Sequence, residues 1–211
     1  MNVGVETLNN VASQRRVRLA VQLLFLVFMG ALIATSRRYF DLHMGIPGHT
    51  GILWMFLLVT GRAVVKRDGA GVMMGASAAL WGEGLGLGHS LHYNLALYSA
   101  TGLALDILVR TSHVDLAHPL AGLIGGITAH GAKFLFMLIY ALGLELPKHF
   151  LVVGALTSFG SHLLFGALGG LLAGLALWLA SRGGSPRHRR RNERIDDVTK
   201  EVSPAKGGPH G

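Results

Sequence analysis

Apolar residues run in long blocks along this chain, separated by short clusters of charge, proline and glycine. A helix needs about 20 mostly apolar residues to cross the hydrocarbon core of a bilayer. The blocks predict spans at 17–36, 48–65, 69–88, 91–110, 118–142 and 150–181. The first, VRLAVQLLFLVFMGALIATS, is too long for a secretory h-region and lacks an A-x-A cleavage site, so it reads as a retained helix. The third is the weakest, because Gly82, Gly84, Gly86 and Gly88 favour an early end. Lipid admits only helices or closed barrels, and runs of this length select helices. The expected fold is all-α: a polytopic membrane protein with six transmembrane helices in one bundle. Residues 1–16 read as a cytoplasmic segment, 17–181 as the transmembrane domain, and 182–211 as a disordered basic cytoplasmic tail.

Composition sharpens this picture. Of the 211 residues, 51% are hydrophobic, a further 30 are glycine, and only 14% are charged. The formal charge of +8 would suggest nucleic acid if it lay on a folded surface. It lies mainly at the ends instead. Arg15, Arg16 and Arg18 precede the first span, and Arg187, Arg189, Arg190, Arg191 and Arg194 cluster in the tail. Lysine and arginine in short loops orient membrane proteins. Arg15, Arg16, Arg18, Arg62, Lys66, Arg67, Arg110 and the tail share one side; Arg37, Arg38 and Lys148 share the other. Both termini are therefore expected in the cytoplasm, with the chain in a prokaryotic inner membrane. Arg37 and Arg38 run against the rule, which marks them as either functional or tolerated. The chain has no cysteine, which removes disulfides and thiolate metal sites.

Small residues recur at four-residue spacing in Gly30/Ala34, Gly75/Ala79, Gly122/Gly126, Gly166/Gly170 and Gly170/Gly174. Such pairs let helix backbones approach closely in lipid. Internal packing accounts for most of them; Gly30 and Ala34, on the first span, are the candidates for contact with another protein.

Residues 15–181 resemble the substrate-binding S-component of an energy-coupling-factor (ECF) transporter. Gly30-x-x-x-Ala34 stands where that family carries an A-x-x-x-A-like docking motif. GRAVVKRDGAGVMMGASAALWG (61–82) is similar to its basic turn and glycine-rich third helix. HMGIPGH (43–49) is similar to the opening of nickel and cobalt members, but residues 1–10 lack their amino-terminal metal motif. The resemblance implies capture of a small molecule, with a transmembrane coupling subunit and separate ATPase subunits as partners.

Charge at bilayer depth costs about 2.5–3.5 kcal/mol per group, so each such residue is a candidate for function. Lys133, with His130 one turn before it, falls in the outer half of the fifth span. His162 and Ser158 share a face of the sixth, Glu83 lies near the outer end of the third, and His92 opens the fourth. Trp81 is a candidate stacking surface, although Trp54, Trp81 and Trp178 also fit an aromatic belt. Lys133 would hold a carboxylate or phosphate, Glu83 an amine or ring nitrogen, and the histidines would donate or accept. The set suits a water-soluble vitamin or its precursor, bound without a cofactor.

Two other readings remain open at this point. His43, His49, His89 and His92 would suit nickel, cobalt or another divalent transition metal, and His130 with His162 would suit haem. Ser158, Ser161 and His162 would suit a small membrane enzyme acting on lipid. The chain has no P-loop, G-x-S-x-G or H-E-x-x-H motif, so a transport subunit is preferred to an enzyme, with no role for nucleic acid.

Overall fold

The computed structural model describes the backbone of residues 3–39, 48–87, 90–143 and 148–183, and the side chains of 12–39, 48–87, 90–143 and 154–183. The described residues form six helices and no strand: α1 (Val3–Tyr39), α2 (Gly51–Val64), α3 (Ala70–Gly84), α4 (Leu91–Ser112), α5 (Pro119–Leu142) and α6 (Lys148–Arg182). Residues 1–178 form one unit; residues 179–211 form a second, described only as far as Gly183. The expected tail disorder and the first outer loop's residues 40–47 fall outside the described residues.

Three stretches are long and apolar enough to cross a membrane: Ala12–Tyr39, Pro119–Leu142 and Gly154–Arg182. Only 28%, 39% and 33% of their most apolar windows is buried by protein. The remainder exposes Leu24, Phe28, Leu120, Ile139 and Leu156, a surface suited to lipid rather than water. The helix boundaries differ from expectation chiefly in α1, α2 and α3. The first helix begins at Val3, because no proline interrupts the polar residues before the apolar run, and its side chains from Ala12 to Arg18 are exposed. The second has 14 residues and the third 15, each about 21–23 Å long against a hydrocarbon core of about 30 Å. Gly69 and Gly86, both at positive φ, bracket α3 and stop it short of its expected ends.

Helix α2 is central. It packs on α1, α3, α4 and α5, and Gly169 of α6 lies against the Ile52 carbonyl and Met55. Its Trp54, Met55, Leu58 and Val59 belong to the main core, with Met74, Leu97 and Leu105 from α3 and α4. Glycine sets the helix spacing. A Cβ on Gly126 would strike the Gly166 carbonyl, and one on Gly170 the Gly122 carbonyl, so the small-residue rows of α5 and α6 face each other backbone to backbone. Gly71 and Gly102 do the same for α3 and α4. We expect Gly126→Leu to separate α5 from α6. Overpacking of this kind costs about 1–3 kcal/mol or more, and it should appear as a lower melting temperature in detergent and loss of monodisperse protein.

Gly30 and Ala34 require a correction. Both are buried, and a Cβ on Gly30 would sit 2.6 Å from the Met74 carbonyl oxygen and 2.6 Å from Ser77 Cβ. The pair seats α1 on α3 within the chain, reinforced by Ser77 Oγ donating to the Val27 carbonyl at 2.8 Å, and does not offer a docking face. The stripe was legible in the sequence, but its partner is internal.

The polar anchor of the bundle is Asp106 on α4. Its Oδ1 accepts from Arg62 Nε at 2.6 Å and from the Gly71 amide at 3.2 Å; its Oδ2 accepts from the Val72 amide at 3.1 Å. Gly71 and Val72 open α3, whose first amides have no partner within the helix. Asp106 thus caps one helix from another while neutralising a buried arginine on a third. In sequence it pairs most simply with Arg110, four residues on; the structure gives it to Arg62 instead, and Arg110 is exposed.

Candidate functional site

Successive helices run back and forth, so the C-termini of α1, α3 and α5 share one end of the bundle with the N-termini of α2, α4 and α6. Beneath that end, five helices bring polar and aromatic side chains together. His130 is fully buried, and its Nδ1 lies 2.7 Å from the His162 carbonyl. His162, 4% exposed, places its own Nδ1 2.7 Å from the Ser158 carbonyl. A carbonyl only accepts, so each Nδ1 carries the hydrogen. In the neutral rings each Nε2 is then an acceptor. That of His130 is buried and has no hydrogen-bond partner among the described residues. The two imidazoles lie 4.7 Å apart, centroid to centroid.

Trp54 of α2 ties the cluster together. It meets Tyr98 of α4 edge to face at 5.0 Å and His130 at 6.2 Å. The Lys133 ammonium stands 4.3 Å from its ring centroid, a cation–π contact worth about 0.5–2 kcal/mol. The Trp54 indole N–H is buried and has no hydrogen-bond partner among the described residues. Arg37, in the last turn of α1, donates from Nη1 to the Tyr98 hydroxyl. Phe134, one turn after His130 on α5, meets His162 at 5.4 Å.

Two glycines permit this packing. A Cβ on Gly51, at the start of α2, would collide with the His130 ring. Gly48, at φ +83°, lies where a Cβ would be 3.0 Å from His162 Nδ1. The turn leading into α2 therefore rests directly on both histidines, and residue 48 needs the left-handed backbone that glycine tolerates.

Lys133, His130 and His162 come together as the sequence suggests, and Ser158 joins them through its main-chain carbonyl. Glu83 is exposed at the end of α3, and His92 is exposed in the first turn of α4. Trp81 is 52% exposed and donates to Thr35 Oγ1 at 3.2 Å, beside an apolar groove between α1 and α3. His43 and His89 lie outside the described residues, and His49 is half-buried in the turn before α2. Among the described residues, no three His, Asp or Glu side chains are placed to hold a metal ion.

Trp54 reads in sequence as a belt aromatic and Tyr98 carries no signal there; neighbouring helices enclose both. Arg37 did leave a signal: it stands on the side of the membrane where the charge rule disfavours it. A concavity of about 440 Å³ opens at the end opposite the histidines, among Arg62, Lys66, Asp68, Arg110, His113 and Asp115. It carries both signs of charge, and Lys66 meets Asp115 at 3.6 Å on exposed side chains.

Comparison with known proteins bears on the fold. No family model and no curated protein sequence matches the chain. Among solved structures, it is similar to a crystal structure of an S-component of an ECF transporter, with a TM-score of 0.56 and 15% identity over 88% of this chain and 96% of that one. At that identity the likeness establishes a shared fold across nearly the whole of both chains.

Proposed function

We propose that this chain is the substrate-capture subunit of an ATP-driven uptake system for a small water-soluble micronutrient, a vitamin or its precursor. The observation that carries the reading is the enclosure of Lys133, His130 and His162 around Trp54 inside a bundle with an S-component's fold. Membrane proteins keep polar groups at such depth for ligands, ions or proton movement. In this reading all six helices cross the membrane, with α2 shielded from lipid by its neighbours and α3 facing lipid along Met73, Leu80 and Trp81. The termini lie in the cytoplasm and the histidine end of the bundle faces outward, as the loop charges favour.

Ligand enters from that end. Lys133 supplies charge, Trp54 and Tyr98 supply apolar walls, and His130 and His162 supply directional hydrogen bonds. Ser158 holds His162 in its tautomer, while Glu83 and His92 stand at the rim. Trp81 belongs to the lipid-facing groove rather than to the pocket. ATP hydrolysis falls to partner subunits, which a separate transmembrane subunit couples to this one.

The test is co-expression with coupling and ATPase subunits. A stable complex is expected, with ATP-dependent uptake of the small molecule that accompanies the purified chain. A chain that neither joins those subunits nor supports uptake would overturn the proposal.

A further inference from the structure

Among the described residues, the charges around the histidine–tryptophan cluster are one-sided. Arg37 and Lys133 are both half-buried, and both meet aromatic partners: Arg37 the hydroxyl of Tyr98, Lys133 the face of Trp54. Tyr98 and Trp54 are themselves in edge-to-face contact at 5.0 Å. Two cations from different helices therefore bracket a single aromatic pair. Among the described residues, no carboxylate lies within ion-pair distance of either. Asp106 is held by Arg62 and two α3 amides, Asp115 meets Lys66, and Glu83 is exposed at the end of α3.

A half-buried cation without a counter-charge is costly, and a second of like sign nearby adds repulsion in a medium of low dielectric. Cation–π contact offsets only part of that cost. An anion placed between the two groups would offset much more. A metal ion or organic cation would instead be repelled at the same place. The neutral groups of the cluster are also unmatched among the described residues: the Trp54 indole N–H lacks an acceptor, and His130 Nε2 in its neutral ring lacks a donor.

We propose that the ligand of this site is an organic anion, its carboxylate or phosphate held between the partly exposed Arg37 and Lys133. This rests on the substrate-capture reading and narrows it to a charge class. It also accounts for Arg37 standing on the disfavoured side of the membrane: its charge is kept for the ligand.

The test uses the full-length protein in detergent and one ring carrying different charges: benzoate, phenyl phosphate, benzamide and benzylamine, each to millimolar concentration, followed by thermal melting. Benzoate or phenyl phosphate should raise the melting temperature by about 3–6 °C at tenfold excess over Kd, with little effect from the amide or amine. The Arg37→Gln/Lys133→Gln variant should lose that shift, and sodium sulfate should not reproduce it. If benzylamine or benzamide stabilises as well as benzoate, the anion inference fails while substrate capture stands. If none of the four shifts the melt, the anion inference fails, while substrate capture is decided by the co-expression and uptake test. A shift that survives in the double variant places the anion elsewhere and also overturns the inference.

Discussion

Lys133→Met should leave a folded and somewhat more stable protein that has lost its ligand. A hydrogen bond to a charged group is worth about 1.5–3 kcal/mol, so affinity should fall by about ten- to a hundredfold. Stability should move the other way. The ammonium sits against Trp54 with no carboxylate partner among the described residues, and a charge at bilayer depth costs about 2.5–3.5 kcal/mol. Cation–π contact returns about 0.5–2 kcal/mol of this, so methionine, which keeps most of the packing, should gain about 1 kcal/mol. For a chain of this size that is about 2–4 °C in melting temperature. Isothermal titration and thermal melting on the same preparation read the two effects. Unchanged affinity, or a large loss of stability, would make Lys133 a structural residue. Opposite movement of stability and binding is the signature of a group kept for function.

Asp106→Ala should have the largest effect on folding. It leaves Arg62, only 4% exposed, without its counter-charge, and removes the acceptor for two α3 amides. Breaking a buried pair from one side costs about 3–5 kcal/mol, about 6–20 °C in melting temperature at this chain length. Asp106→Asn keeps an oxygen for the amides and should fall between. The double change Arg62→Met with Asp106→Leu should recover a good part of the loss, because it leaves no charge stranded. Ligand affinity in whatever folds should change little, since Asp106 faces the opposite end of the bundle from His130. A single variant with an unaltered melt would show that the pair is not the anchor its geometry suggests.

Much of the molecule was legible in the chain. Long apolar runs placed every helix, and the boundaries moved most where a run had no stop signal, as before α1, or had glycine at positive φ, as around α3. The glycine rows of α5 and α6 were readable as close-packing surfaces, and they meet one another. Lys133, His130 and His162 were readable because charge and imidazole are rare in apolar runs. Trp54 was not, because an aromatic near a span end is ordinary, and Tyr98 was not, because nothing local singles out one tyrosine within an apolar run.

Sequence by itself determined the helices, the apolar faces of the long spans and the small set of polar residues placed along them. Tertiary structure decided which face met which. It turned Gly30 and Ala34 inward onto α3, gave Asp106 to Arg62 across 44 positions rather than to Arg110 four away, and set Lys133 over Trp54 with Arg37 close by while Glu83 stayed exposed. The physical reason is one of range. Helical periodicity fixes the angle of each side chain about its own axis, whereas its neighbour across the interface depends on the order in which the other five helices pack around α2. That order is set by backbone contacts at glycines distant in the chain.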